Sequence, residues 1–316
     1  MMTSTFGTTV KVSIFGESHA PKIGCTIEGL PAGFTVNLPE LKTFLQRRSP
    51  SHPWDTPRKE IVDPRFISGI SVDGVLDGSP LTAELLNTNV RPQDYIDTKL
   101  VPRPGHADFS AWAKWGDSYI QTGGGHFSAR LTAPLCIAGG IALQILHAQG
   151  ITIAAHVLKI KDINDTPFEL VDNSVEANKL LALQMNQLLQ TAPQELPFLN
   201  AQAGEKTRAL LTQLRSEKNT VGGIIECVAT GIGCPHFHGL ENTISAAVFG
   251  VPAVKAIEFG SGMNVANLLG SENNDAYEVR NGAVVPTTNH AGGILGGIST
   301  GAPIWFRCAL KPISSI

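Results

Sequence analysis

An excess of one charge and a cysteine framework are both missing from this 316-residue chain. Its 24 basic and 27 acidic residues leave a net charge of −3, so the bulk charge recruits neither nucleic acid nor an anionic membrane, and any anion site must be local. Five cysteines (Cys25, Cys136, Cys227, Cys234 and Cys308) form no Cys-x-x-Cys pair, which suits a reducing compartment. The longest apolar run, Ala133 to Ala148, has 16 residues and falls short of a membrane span. Met1 to Val10 lacks the apolar core of about 7–15 residues that marks a signal peptide. These absences predict a cytoplasmic protein. No Gly-x-x-x-x-Gly-Lys-Ser/Thr occurs, and the doublets Gly123/Gly125, Gly231/Gly233 and Gly260/Gly262 lack the third glycine of a dinucleotide fingerprint, so a Rossmann fold is unsupported. Cys234-Pro235-His236-Phe237-His238 offers soft ligands, but the proline interrupts strand alternation and no second cluster completes a tetrahedron; no metal is expected. With no short repeat and no low-complexity linker, one compact α+β unit over residues 1–316 is expected.

What is present reads as a mixture of helices and alternating strands. Asn37 to Arg48 is a capped helix with Pro39 and Glu40 in its first turn and Leu41, Phe44 and Leu45 on its inner face. Ala133 to Ala148 reads as a buried central helix, with Thr132 as N-cap, Pro134 in the first turn and Gly150 as the stop. Val175–Gln190 and Glu205–Arg215 are amphipathic helices, while Val10–Phe15, Ile151–Val157 and Gly223–Ala229 read as strands.

Several segments carry chemistry. His19 follows the strand ending at Phe15, where a sharp turn can project a side chain into a cleft. His106 lies in Arg103-Pro104-Gly105-His106-Ala107-Asp108, where Arg103 supplies a cation and Asp108 is placed to orient the imidazole; a capped turn explains the same residues. His126, His147 and His156 read as lone histidines, packed or exposed. Gly123 to Arg130 sets glycines, Ser128 and Arg130 before a helix, an arrangement that binds phosphate. Arg47, Arg48, Arg58, Lys59, Arg103 and Arg130 form a basic series, and guanidinium groups capture carboxylates and phosphates in bidentate fashion. Together they point to a small polyanionic substrate and proton traffic. Asn289 to Gly301 has five glycines within ten positions; such a run lets amides converge on an anion, or lets strands cross closely with no ligand.

Taken in order, Phe-Gly-Glu-Ser-His (15–19), Arg47-Arg48, Thr-Pro-Arg-Lys-Glu (56–60), Arg-Pro-Gly-His-Ala-Asp (103–108), Gly-Gly-Gly-His-Phe-Ser-Ala-Arg (123–130), Pro-Ala-Val-Lys (252–255), Asn289 to Ser299 and Lys-Pro-Ile-Ser-Ser-Ile (311–316) closely resemble the chorismate synthase family along the whole chain. The resemblance implies an α+β layered sandwich of antiparallel sheets and helices, a homotetramer, and bound reduced FMN, with NADPH or a separate flavin reductase as candidate sources of its electrons. It implies a lyase that makes chorismate from 5-enolpyruvylshikimate 3-phosphate by 1,4-elimination of phosphate and a ring proton, with the flavin not consumed. By the same resemblance His19 assists the departing phosphate and His106 serves the flavin. Ser18, Arg48, Arg103, Ser128 and Arg130 match substrate-holding positions, and His126, Phe127, Ser128, Pro252, Ala253, Gly296, Lys311, Pro312, Ile313, Ser314 and Ser315 match flavin-contacting ones.

Three departures from the family pattern set further expectations. Ala20 stands where the family usually has glycine, which costs about 1 kcal/mol if that backbone needs positive φ. Ser51-His52-Pro53-Trp54-Asp55 replaces a stretch that commonly holds another basic residue. The family pattern also continues past Ser-Ser-Ile into an Arg-His-Asp-Pro-Cys segment, before which the present sequence stops; the expectation is a flavin pocket open on the isoalloxazine side and weak turnover. The alternative reading is a truncated or non-catalytic paralogue that keeps the fold and part of the anion site.

Overall fold

The computed structural model describes residues 4–55, 62–87, 101–116, 123–233 and 239–315, and it divides into two compact units, Met1–Ile145 and Leu146–Ile316. Arg58 and Lys59, and the Cys234-to-His238 run, lie outside the described residues.

In the first unit, β1 (Thr5–Phe6), β2 (Lys11–Phe15), β3 (Lys22–Glu28), β4 (Arg65–Ser68) and β5 (Leu81–Leu86) form one antiparallel sheet in the order β1-β2-β3-β5-β4. Its side chains alternate between faces, as a period of two requires. Ile23, Cys25 and Ile27 of β3 stand opposite Leu85, Ala83 and Leu81 of β5, and all six are buried. Against this face pack α1 (Leu38–Gln46), through Leu41 and Leu45, and α3 (Thr132–Ala148), through Ala133, Ile137 and Ile141. Each such aliphatic side chain contributes about 1.5–3 kcal/mol of burial. Glycine sets the approach of the two helices: a methyl group on Gly140 would lie 2.5 Å from Leu41 Cδ1. Between them sits α2 (Asp108–Trp115) in chain order.

Both helical signals hold, with one shift. Asn37 caps α1, its side chain accepting from Glu40 N at 3.1 Å. At α3 the capping role moves upstream: 3-10 turns at Gly125–Phe127 and Ala129–Leu131 lead directly into the helix, and Ser128, rather than Thr132, accepts from a backbone amide, that of Arg130. Thr132 is already helical, and its hydroxyl donates back to Ala129 O at 2.7 Å. The added turns make Ala129–Ala148 a 20-residue helical run, long and apolar enough by length and composition to cross a membrane. The 16-residue reading was therefore too short. Its inner residues belong to the core, and Gln144 bonds both the amide and the carbonyl of Asn37.

In the second unit, β6 (Thr152–Ile160), β7 (Ile163–Asn164), β8 (Gly223–Thr230), β9 (Val254–Phe259) and β14 (Ile304–Leu310) form an antiparallel sheet in the order β7-β6-β8-β14-β9. Ala154, Val228 and Trp305 pack with Leu181, Met185 and Leu188 of α4 (Val175–Leu189). The next helix, α5 (Ala201–Ser216), begins four residues before its apolar pattern does, because Asn200 caps it by accepting from Gln202 N and Ala203 N. Also here are α6 (Leu240–Phe249), α7 (Gly270–Asn273) and the hairpins β10–β11 (Tyr277–Arg280, Ala283–Pro286) and β12–β13 (Ile294–Leu295, Ile298–Ser299).

The glycine-dense run resolves mostly in favour of close crossings. Methyl groups on Gly292 and Gly293 would lie 2.4 Å from Gly260 N and 2.5 Å from Pro303 O. Gly296 and Gly297, with φ of 61° and 78°, form the two-residue turn of β12–β13, and around Gly296 there is open space.

Candidate active site

The first unit brings the His19 turn against the Gly123–His126 loop. Strand β2 ends at Phe15, and Gly16, at φ 103°, redirects the chain into a turn closed by Ala20 N donating to Glu17 O at 3.2 Å. Ser18 N donates to Gly125 O at 2.9 Å, and the His19 ring lies so close to Gly123 that a methyl group there would sit 2.7 Å from Nε2. Gly123 can pack so tightly because it lacks a side chain and holds φ at 63°. The result is that Ser18 and His19, both polar, are 5% and 7% exposed. His126 ties the same loop to the turn: Nδ1 donates to Gly16 O at 3.4 Å, so Nε2 accepts from the Ser4 hydroxyl at 3.0 Å.

Arg103 joins this cluster, held in a fixed pose. Its Nε and Nη2 form a bidentate pair with Asp108 at 2.7 and 3.0 Å, and Nη2 also donates to Gly123 O at 2.9 Å. Burial opposes the Asp108 charge, but the Arg103 guanidinium and amide hold its pKa below the usual value of 3.8. Asp108 was expected to orient His106; both its oxygens bond the fork of the Arg103 guanidinium, and the charge of His106 also lowers its pKa. His106 is oriented by the backbone: Nδ1 donates to Pro104 O at 3.1 Å, and in the neutral ring Nε2 is then the basic nitrogen.

Arg48, Ser128 and Arg130 gather at the start of α3. Arg48 Nε donates to the Thr132 hydroxyl at 3.1 Å, and its Nη2 reaches the carbonyls of Ala129 and Arg130 at 3.5 and 3.4 Å. Arg130 is 6% exposed, and Phe127 lies beside His126 and Trp115. The sequence suggested loose amides here; those of Phe127, Ser128 and Leu131 are spent within the 3-10 turns. The methyl of Ala20 carries no left-handed strain, since Ala20 is not among the positive-φ residues; Gly16 takes that conformation. Ser51 to Asp55 closes on itself, with Asp55 Oδ2 accepting from Ser51 N and His52 N, both at 2.8 Å.

Within the second unit, the matched positions at 252–253 and 311–315 are tied together, while Gly296 lies in the β12–β13 turn. Ala253 adopts φ 74°, an uncommon conformation for a residue with a side chain, and its carbonyl accepts from Lys311 N at 2.9 Å. Lys311 Nζ donates to the Ser314 hydroxyl at 2.5 Å, and the Thr220 hydroxyl donates to Ile313 O at 2.6 Å, so the loop after β14 is fastened at both ends. Pro252 precedes the strained residue, Pro312 interrupts the strand's continuation and Ser315 ends the described chain.

Sequence reasoning missed Asn87, whose side chain bonds the carbonyls of Ser18 and Ala20; the only signal was a turn-forming residue ending an apolar run. It also took His156 for a lone histidine. Its Nδ1 meets Asp165 at 2.7 Å and its Nε2 meets Glu226 at 3.0 Å, with all three side chains fully buried. Among the described residues, Cys25, Cys136, Cys227 and Cys308 are free thiols, and burial pushes Cys25 and Cys227 up to about 12, away from the thiolate form.

A family model described as chorismate synthase matches residues 10–316. The chain belongs to the chorismate synthase family. A chorismate synthase of Lancefieldella parvula is 90% identical, over 100% of this chain and 84% of that protein. One of Thermococcus kodakarensis is 38% identical, over 98% of this chain and 83% of its own length. A crystal structure of chorismate synthase superposes with a TM-score of 0.77 at 24% identity, covering 98% of this chain and 86% of the other, which shows the shared α+β fold. None of these relatives supports the non-catalytic alternative. In this chorismate synthase family member, Gly123→Ala is expected to cost about 1 kcal/mol from the left-handed backbone alone. By displacing the His19 ring it should also lower turnover at least about tenfold, read as kcat against the melting temperature.

Proposed function

We propose that this chain converts 5-enolpyruvylshikimate 3-phosphate to chorismate, a step of the shikimate pathway towards the aromatic amino acids. The observation that carries the reading is the docking of the Ser18–His19 turn onto Gly123–His126 beside an Arg103 held rigid by Asp108. The substrate carries two carboxylates and a phosphate. In the elimination, the carbon–hydrogen bond across the ring breaks with its proton passing to a base or water, its electron pair forms a double bond to the neighbouring carbon, the existing ring double bond shifts towards the carbon that bears phosphate, and the carbon–oxygen pair leaves on the phosphate oxygen. A buried imidazole at His19 is suited to give the departing phosphate its proton, since a phosphate dianion is a poorer leaving group than its protonated form. Arg48, Arg103 and Arg130 hold the anionic groups, with Ser18 and Ser128 as hydroxyl donors. Because Arg103 and Arg48 are already pinned, little ordering is left to be done when substrate arrives.

Reduced FMN fits the residues that the chain offers. The Lys311 ammonium and the Ser314 and Ser315 hydroxyls in the fastened loop, with the Pro312 and Ile313 backbone, suit a phosphate tail, and the glycine turn at Gly296 has open space beside it for a flavin contact. Pro252 and Ala253 are further candidate contacts there; taken by itself, the first unit offers His126, Phe127 and Ser128, to which the family resemblance gives a flavin contact. When bound, the reduced flavin supplies an electron transiently and receives it back. His106, whose Nδ1 donates to Pro104 O, is the histidine that would serve the flavin. NADPH, directly or through a separate flavin reductase, is the proposed reductant, the working assembly is a homotetramer of one-domain subunits, and the location is the cytoplasm.

The test is anaerobic incubation with 5-enolpyruvylshikimate 3-phosphate and reduced FMN. Chorismate and inorganic phosphate are expected in equal amounts with no net flavin oxidation. Phosphate release without chorismate, or neither product, would sink the reading.

A further inference from the structure

We propose that Asn87 is a positioning residue for His19, holding the peptide that leads into the imidazole-bearing residue and the next but one beyond it; the proposal rests on the reading of His19 given above. Its basis is the way β3 and β5 end. Their last ladder pair is Lys22 opposite Leu86, and the next position on β3 is Pro21, which has no N–H to give. The ladder therefore finishes one-sidedly, with Asn87 N donating to Pro21 O at 2.9 Å. Just upstream, the turn at Glu17–Ala20 leaves the carbonyls of Ser18 and Ala20 without strand partners. Asn87 Nδ2 has two hydrogens and spends both on them, at 2.8 and 3.0 Å. One residue thus binds three carbonyls, those of residues 18, 20 and 21, which bracket His19.

The other end of the carboxamide strengthens the case. Asn87 is 6% exposed, and its Oδ1 is buried without a hydrogen-bond partner among the described residues. A buried acceptor left unmet is a cost, and a hydrophobic residue of the same shape would avoid it, so the asparagine is explained by its donor end. The opposite side of the turn is held separately, by Ser18 N on Gly125 O. Without the Asn87 donors that anchor remains, but the 18–19 peptide leading into His19 and the 20–21 peptide beyond it are free to rotate and swing the ring away from Gly123.

Asn87→Asp keeps the shape and sets a carboxylate against two carbonyl oxygens; Asn87→Leu removes the donors without adding charge. Both variants are expected to lower kcat about 10- to 100-fold, as displacements of about 1 Å do, with KM for 5-enolpyruvylshikimate 3-phosphate changed less than about threefold. A second readout needs no activity. Diethylpyrocarbonate should modify His19 at least about tenfold faster in both variants, by mass spectrometry, while the fully buried His156 stays protected as an internal control.

Wild-type kcat together with wild-type His19 protection in the two variants would overturn the proposal. So would failure of both to fold, or modification of all histidines alike, since Asn87 would then be a general brace of the sheet. His19→Ala measured in parallel separates the two ideas. Full turnover in His19→Ala removes the role of His19 and this proposal with it, whereas an inactive His19→Ala beside fully active Asn87 variants removes this proposal alone.

Discussion

Replacing His156 by leucine should cost about 3–5 kcal/mol of folding stability, because it removes the cation from a buried cluster and leaves two carboxylates facing one another. His156 on β6 lies between Asp165 and Glu226, and Glu226 also meets Arg307 Nε at 2.8 Å and accepts from Phe168 N at 2.8 Å. Asp165 further accepts from Leu199 N and Asn200 N, both at 2.8 Å, so the ion cluster fastens the segment that starts α5 to the edge of the sheet. Glu258 on β9 stands 3.7 Å from Arg307 and completes the set of charges.

The effect carries a pH signature. Burial opposes the charged imidazole, but the hydrogen bonds it donates to Asp165 and Glu226, and their charges, prevail and raise His156 above its ordinary 6.5. Burial likewise opposes both carboxylates, yet the His156 hydrogen bond and backbone donors lower Asp165 below 3.8, and the same histidine, Phe168 N and Arg307 lower Glu226 below 4.5. A raised basic group stabilises fully below its unfolded value and loses that contribution as pH rises through its folded value; lowered acids stabilise above their unfolded values and lose it as pH falls through their folded ones. The cluster is therefore strongest between about pH 4.5 and 6.5. Urea unfolding from pH 5 to 10 should show the gap between wild type and His156→Leu narrowing at alkaline pH. A constant gap would show that the ring packs as a neutral group.

The second large effect is expected at His19. On the proposed function, His19→Ala should lower turnover by about 10²–10⁴, the usual worth of a positioned general acid, and should leave substrate affinity nearly unchanged. The reason is that the proton is needed only as the phosphate departs, so the loss falls on kcat. Burial sharpens the effect: at 7% exposure, few water molecules can reach the phosphate to replace the lost donor. Anaerobic single-turnover measurements with reduced FMN decide it, and an unchanged rate would move the acid to another residue.

Local rules carried much of this protein from the chain alone. Asn37 with Pro39, the apolar stripe of Val175–Leu189, and Gly150 at φ 81° mark helix ends and faces that depend on neighbours within four residues. The family was equally legible, because eight motifs in order need no geometry to be read, and they singled out His19, His106 and the arginines. What the chain could not disclose was who bonds to whom. Arg103 bonded both oxygens of Asp108; Ser128 took the cap from Thr132; and the glycines at 292 and 293 proved to be crossings. Asn87 reaches back 69 residues to Ser18, and Glu226 reaches 70 to His156. Those pairings follow from strand register and from the route of the chain between strands. A side chain's burial, charge and partner are then set by elements remote in sequence, and only the tertiary structure brings them within hydrogen-bond distance.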